Sequence, residues 1–131
     1  MFQILEKRRL NETTTLMRVH APRVAKKAGP GQFIILRIDE NGERIPLTIA
    51  GYDRESGSVT IIFQKVGKTT IHLDELEAGD SLLDFVGPLG RVSEYGDVKG
   101  KRVAVIGGGL GIAIAYPQAV ALTELGAEVD M

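Results

Sequence analysis

The sequence predicts a small antiparallel β barrel followed by the opening of a parallel α/β unit. Short runs rich in β-formers, separated by turn residues, fill residues 1–97. The pattern changes after Gly100. Arg102-Val-Ala-Val-Ile106 is a continuous apolar run, the kind buried on both faces of a parallel sheet. The glycines of Gly107-Gly-Gly-Leu-Gly111 follow at once, and an apolar helical stretch comes next.

Each element has its local signal. Phe2–Arg8 and Thr13–His20 read as strands joined by a turn at Asn11-Glu12. Pro22 and Gly29-Pro-Gly31 punctuate the loop that follows. Gln32–Ile38 is a dense β-former run, and Asp39–Glu43 is a hairpin turn with Asn41-Gly42 at its apex. Arg44–Tyr52 reads as one extended strand, and Ser58–Lys65 as another. Thr69–Leu76 is a short helix with Ile71, Leu73 and Leu76 partly on one face, closed by Gly79. Ser81–Val86 is the sixth strand, ended by Gly87-Pro-Leu-Gly90. Six short strands with one helix before the last suggest a small barrel. Gly96–Gly100 is linker-like, Ile112–Leu125 is helical, Gly126 stops it, and Ala127–Met131 begins another strand. The expected division is a barrel domain over 1–97 and the N-terminal fragment of a second domain over 98–131.

Composition narrows the function. The chain has 131 residues, 44% of them hydrophobic, enough for a core. With 16 basic and 17 acidic residues its formal charge is −1, which gives no reason to expect nucleic acid or an anionic membrane as partner. No long apolar run suggests a membrane span. The N-terminus places charges after a very short apolar run, the wrong order for a secretory signal, so a cytoplasmic location is expected. There is no cysteine, hence no disulfide and no cysteine-ligated cluster within these residues. His20 and His72 have no ligand-like spacing, and no metal site is expected.

Three segments can carry chemistry. In Arg44-Ile-Pro-Leu-Thr-Ile-Ala50, a guanidinium can fork onto phosphate and a hydroxyl can meet a ring heteroatom. Pro46 suits an edge strand. A plain edge strand with an exposed arginine would give the same pattern. In Val66-Gly-Lys-Thr-Thr70, glycine permits close approach to a ligand, and Thr69 or Thr70 can cap a helix whose first N–H groups face an anion. A ligand-free helix cap is the simpler alternative. Gly107–Gly111 lacks the third glycine of G-x-G-x-x-G, because Ile112 or Ile114 stands there, but its strand-to-helix setting suits a phosphate turn. A tight turn without a ligand is again the alternative.

Taken in order, these segments resemble the ferredoxin–NADP reductase superfamily. The resemblance rests on Arg44–Ala50, Phe63-Gln-Lys-Val-Gly-Lys-Thr-Thr70, Asp84-Phe-Val-Gly-Pro-Leu-Gly90 and Gly107–Ala113 with Tyr116-Pro117, and it covers essentially the whole chain. Within the superfamily the chain is most similar to electron-transfer subunits of dihydroorotate dehydrogenase and to the small subunit of NADH-dependent ferredoxin:NADP oxidoreductase, the sulfide dehydrogenase type. The resemblance implies a six-stranded antiparallel FAD-binding barrel and then the first β-α-β of a Rossmann-like nicotinamide domain. It places Arg44 at the FAD phosphate or ribityl side and runs Pro46, Leu47 and Thr48 along the isoalloxazine, with Thr48 nearest N5. It assigns Gly67, Lys68, Thr69 and Thr70 to the pyrophosphate. Gly87–Gly90 would shape the junction between domains, and Gly108, Gly109 and Gly111 would meet the NAD(P)H pyrophosphate.

Three departures from the superfamily pattern stand out. The usual arginine-x-tyrosine-serine has no tyrosine here, and Arg44 sits one residue further from Thr48. Ile114 replaces the proline of G-x-G-x-x-P. The cysteines that bind a [2Fe–2S] cluster in a C-terminal segment of such subunits are absent, so that cluster is expected only beyond these residues. The expected function is an FAD-binding fragment of an electron-transfer oxidoreductase subunit. It would work between NAD(P)H, FAD and an iron–sulfur centre, with ferredoxin or a larger iron–sulfur or flavin subunit as partner. No catalytic acid, base or nucleophile of the chain's own is expected, because the flavin supplies the chemistry. Two rivals are a non-catalytic barrel that docks a partner subunit and a cluster-free NAD(P)H-dependent flavin reductase. As a fragment, the chain alone is expected to be inactive.

Overall fold

The computed structural model describes residues 1–131. Its first strands are β1 (Phe2–Arg9) and β2 (Thr14–His20), followed by helix α1 (Pro22–Lys27). Next come β3 (Phe33–Arg37), β4 (Ile45–Thr48), β5 (Gly51–Asp53) and β6 (Ser58–Gln64). Helix α2 (Lys68–Glu75) precedes β7 (Ser81–Leu82) and β8 (Asp84–Leu89). These strands form two antiparallel sheets, ordered β5-β6-β2-β1-β7 and β4-β3-β8.

The sheets are stitched together where one run of chain leaves one sheet and joins the other. The Ile49 N–H bonds Gln32 O at 3.0 Å, in the β3 neighbourhood, and the Ala50 N–H bonds Thr60 O at 2.9 Å, on β6. The second crossing is at Leu83, whose N–H meets Arg37 O at 3.0 Å. Sheet-switching of this kind makes corners and closes the barrel. Two expectations are corrected by it. Arg44–Tyr52 is not one strand but β4 and β5 in different sheets. The sixth strand is β7 and β8, and β8 runs on through Gly87 and a cis Pro88 to Leu89.

Strand alternation fills the interior. Met17 and Val19 of β2, Ile34 and Leu36 of β3, and Val59, Ile61 and Phe63 of β6 are fully buried. Each such side chain contributes roughly 1.5–3 kcal/mol. Register puts His20 opposite Ser58 and Thr14 opposite Gln64, so α1 leaves one end of the barrel and α2 the other. The segment read as a loop after Pro22 is α1, which buries Val24 and Ala25. Pro22 sits in its first turn, where the missing N–H costs nothing. Arg54 donates to the carbonyls of Ala25, Lys26 and Ala28, satisfying that helix's C-terminus. On α2, Leu73 is buried and Leu76 packs on the core, but Ile71 points outward, 48% exposed.

After residue 97 the chain forms β9 (Arg102–Ala104), a 3-10 turn (Gly109–Gly111), α3 (Ile112–Glu124) and β10 (Glu128–Asp130). β9 and β10 pair in parallel, and α3 connects them. Burial of the 102–106 run on both faces is not found. Val103 and Val105 are half-buried, while Ala104 and Ile106 are exposed, because α3 covers one face only.

Candidate functional site

The site-bearing face starts at β4, an edge strand of its sheet. Ile45 and Leu47 turn inward and pack on the core. Alternation therefore sends Arg44, Pro46 and Thr48 to the other side. Pro46 is exposed and stands opposite Ile35. Of the three residues predicted to run along a ring, only Pro46 and Thr48 present side chains outward; Leu47 can offer only backbone. Arg44 donates from Nη1 to Asp84 Oδ2 at 2.9 Å, and Arg37 donates from Nε to the same oxygen at 2.9 Å.

Twenty-odd residues on, α2 begins beside the start of β4. Thr69 Oγ1 donates to Glu43 Oε1 at 2.7 Å, which fastens the two starts together. Gly67 is the N-cap. A side chain there would meet nothing within 4 Å, so the space in front of the helix is open. Gly67 has no side chain to cap with, so the first-turn N–H groups point into that space with the positive end of the helix dipole. The expected threonine cap takes a different form. Thr70 Oγ1 reaches back to accept the N–H groups of Val66 and Gly67 at 2.9 and 3.0 Å, and donates to Gly67 O. Lys68, Thr69, Ile71, His72 and Glu75 of α2 and residues 38, 39 and 41–43 line a cleft of about 630 Å³. Its charge is mixed: Asp39 and Glu43 line it on one side, and Lys68 and Glu75 both come from α2.

Sequence reading missed what seats α2. Asp74 is nearly buried. It accepts from Thr15 Oγ1 and from Arg9 Nη2 at 2.8 Å, with Lys65 Nζ at 3.5 Å. Lys7 donates to the Asp74 carbonyl. Burial works against the Asp74 charge, but the Thr15 hydroxyl and the Arg9 guanidinium outweigh it and hold its carboxyl below the usual carboxylate range. The partners lie 59 and 65 residues away in sequence, so only the fold reveals them. Asp84 was likewise visible only as part of a motif.

The glycine turn separates into two kinds of glycine. A side chain at Gly107 would meet Ala115 Cβ at 3.0 Å and the Gly111 carbonyl at 3.3 Å, so this glycine lets β9 pass close to α3. Gly108, Gly109 and Gly111 have nothing within 4 Å of that position, and Gly109 has φ +56°. These three border open space. Gly109, Leu110, Ile112 and Ala113 also face the barrel's outer surface at Asn11, Thr14, Ile62 and Gln64 across a cleft of about 250 Å³. Asp130 is exposed at the end of β10.

The junction expected at Gly87–Gly90 is tight. Gln32 Nε2 bonds Gly90 O at 2.9 Å, and a side chain at Gly87 would collide with Ile34 at 2.7 Å. Beyond it, Tyr95 donates to Gln118 of α3, and Gln118 Nε2 donates to Ser93 Oγ at 2.8 Å. The Ser93 N–H bonds Pro30 O. Burial raises the Tyr95 pKa, with the Ser93 hydroxyl opposing. This clasp ties barrel, linker and α3 together.

Comparison with known proteins follows the same lines. The NADH-dependent reduced ferredoxin–NADP oxidoreductase, a structure described for flavin-based electron bifurcation, matches with TM-score 0.91 and 42% identity over 98% of this chain and 46% of that one. A dihydroorotate dehydrogenase B (NAD(+)) electron transfer subunit homolog of Thermotoga maritima is 45% identical over 95% of this chain and 43% of its own length. An uncharacterized protein in the adh 3' region of Clostridium beijerinckii is 49% identical over 100% of this chain and 46% of its own. The chain thus spans less than half the length of these relatives. Phthalate dioxygenase reductase, at 17% identity and TM-score 0.75, shares the fold. The model of the oxidoreductase FAD-binding domain family matches residues 1–95, and the chain belongs to that family.

Proposed function

We propose that this chain is the FAD-binding part of an electron-transfer oxidoreductase subunit. The observation that supports it best is the Thr69–Glu43 bond. It sets the outward face of β4 and the open start of α2 side by side, although they are 26 residues apart. A ring and a pyrophosphate need such neighbouring surfaces.

The residues present fit the cofactor. The open space at Gly67 and the free first-turn N–H groups of α2 suit an anion, and the β4 face suits a flat ring. Gly67, Lys68, Thr69 and Thr70 would hold the pyrophosphate. The Thr70 hydroxyl is already engaged within the helix start, so backbone N–H groups and the Lys68 ammonium do the holding there. Arg44 would serve the phosphate or ribityl side with the guanidinium edge that Asp84 leaves free. Pro46, Leu47 and Thr48 would line the isoalloxazine, Leu47 through its backbone. When bound, FAD supplies hydride and electron transfer; the chain orients it and tunes its potential.

Residues 1–97 are the barrel domain in this reading. Residues 98–131 are the first β-α-β of a Rossmann-like nicotinamide domain, with Gly108, Gly109 and Gly111 at the NAD(P)H pyrophosphate and Gly107 as a packing glycine. By analogy with the electron transfer subunits it is similar to, the longer protein would pass electrons between NAD(P)H, FAD and an iron–sulfur centre, to ferredoxin or a larger partner subunit. No helix is long and apolar enough to cross a membrane.

The test is a flavin-fluorescence titration. Charge-assisted contacts are worth roughly 1.5–3 kcal/mol, so Arg44→Ala is expected to weaken FAD about ten-fold or more. Equal affinity in both chains would remove the Arg44 assignment. A chain that takes up no FAD would instead favour the docking module.

A further inference from the structure

We propose that Asp84 is a positioning residue that aims Arg44 at the bound anion; the inference rests on the FAD reading above. Strand order β4-β3-β8 and the two registers create the arrangement. Leu36 stands opposite Ile45, and Arg37 stands opposite Asp84. One step beyond the Leu36–Ile45 pair, Arg44 and Arg37 come side by side. Like charges on neighbouring strands repel. Asp84 resolves that conflict, because its Oδ2 accepts Arg37 Nε and Arg44 Nη1, each at 2.9 Å.

The two arginines are not equivalent. The Arg37 side chain is 24% exposed and is the anchor; the Arg44 side chain is 55% exposed and faces outward. Two guanidiniums and one carboxylate leave the triad with one net positive charge. Arg44 uses only Nη1 on Asp84, so its remaining N–H edge is free for a phosphate oxygen. Holding a long side chain in advance removes an ordering cost at binding.

The sign of one measurement separates positioning from simple charge balance. Removing the Asp84 charge makes the triad more positive, and charge balance alone predicts tighter FAD. Positioning predicts weaker FAD, because Arg44 is released. We would titrate FAD into the 131-residue chain and into Asp84→Asn, Asp84→Glu, Arg44→Ala and the Arg44→Ala/Asp84→Asn double variant, checking folding by circular dichroism.

The expected result is that Asp84→Asn weakens FAD about three- to ten-fold, Asp84→Glu restores most of it, and Asp84→Asn has no effect when Arg44 is already alanine. Unchanged or tighter binding by Asp84→Asn, with Arg44→Ala weakened, overturns the positioning role and leaves the FAD reading intact. An equal loss in the Arg44→Ala background also overturns it, since Asp84 would then act through the fold. No effect of Arg44→Ala removes both assignments. If Asp84→Asn does not fold, nitrogen relaxation of the Arg44 Nε–H in the unaltered chain decides. Restriction well beyond that of exposed Arg91 supports the proposal, and equal mobility overturns it.

Discussion

Replacing Asp74 tests whether charge, rather than packing alone, seats α2. Alanine there removes the acceptor for the Thr15 hydroxyl, which is fully buried, and the counter-charge for Arg9 and Lys65. Breaking a buried pair from one side costs about 3–5 kcal/mol when the stranded charge stays buried. Here the Arg9 side chain is 45% exposed and that of Lys65 28%, so both can rehydrate, and the ion-pair part falls to the low end. Stranding a buried hydroxyl costs roughly 1–3 kcal/mol, and it overlaps with the first because Thr15 supports Asp74. The expected loss is about 3 kcal/mol. For a chain of this size that lowers Tm by roughly 10 °C. The pH dependence is the sharper reading, with Asp74→Asn as the isosteric reference. Asp74 titrates below its unfolded value when folded. Its contribution is therefore complete above an unfolded pKa of about 3.9 and is lost as pH falls through the folded value. Thermal unfolding from pH 7 to about pH 2.5 should show the gap between the two chains narrowing only below about pH 4. A gap that does not narrow, or a loss under about 1 kcal/mol for Asp74→Ala, would refute the reasoning.

Other expectations follow from the glycine turn and the clasp. Gly107→Ala should lower stability by roughly 1–3 kcal/mol through crowding against Ala115, whereas Gly108→Ala should leave Tm nearly unchanged; equal effects in thermal unfolding would erase the distinction between packing and open glycines. Gln118→Leu should speed hydrogen exchange at residues 91–95 more than at β6, as read by mass spectrometry; uniform protection would mean that the clasp holds nothing. The chain loaded with FAD should show negligible NAD(P)H-to-dye reductase activity, because hydride transfer needs the two rings held about 3–3.5 Å apart and, in the proposed reading, residues 98–131 would offer a nicotinamide cofactor no more than a phosphate turn. Full steady-state turnover would overturn that division of labour.

The sequence announced the barrel through short β-former runs separated by turn residues, and the stretch after Gly100 through the change to an apolar run followed by glycines. What escaped has physical causes. Helix α1 is six residues long, too short to show a period, and Pro22 reads as a breaker although it sits in the first turn. The corner at Ile49–Ala50 is apolar and buried, so it reads as strand interior rather than as a break between strands. Asp84 and Arg44 are 40 residues apart, and Asp74 and Arg9 are 65 apart; pairings of that kind are products of topology, not of spacing. The glycine turn was legible as a turn. Which of its glycines packs and which borders open space depends on where Ala115 lies.

The corner at Ile49–Ala50 also sets how this protein can tolerate changes of length. Residues 45–53 are threaded through two hydrogen-bond ladders at once, against β3 and against β6. A single added residue there cannot be absorbed on either side. It would turn Leu47 outward and Thr48 into the core, or slip β5 against β6. The neighbouring Asp39–Gly42 turn is closed by bonds within itself and can lengthen, whereas Glu43 is held by Thr69. Variation among relatives should therefore accumulate as insertions within the 39–42 turn, while Glu43 and the ten residues after it keep a fixed count.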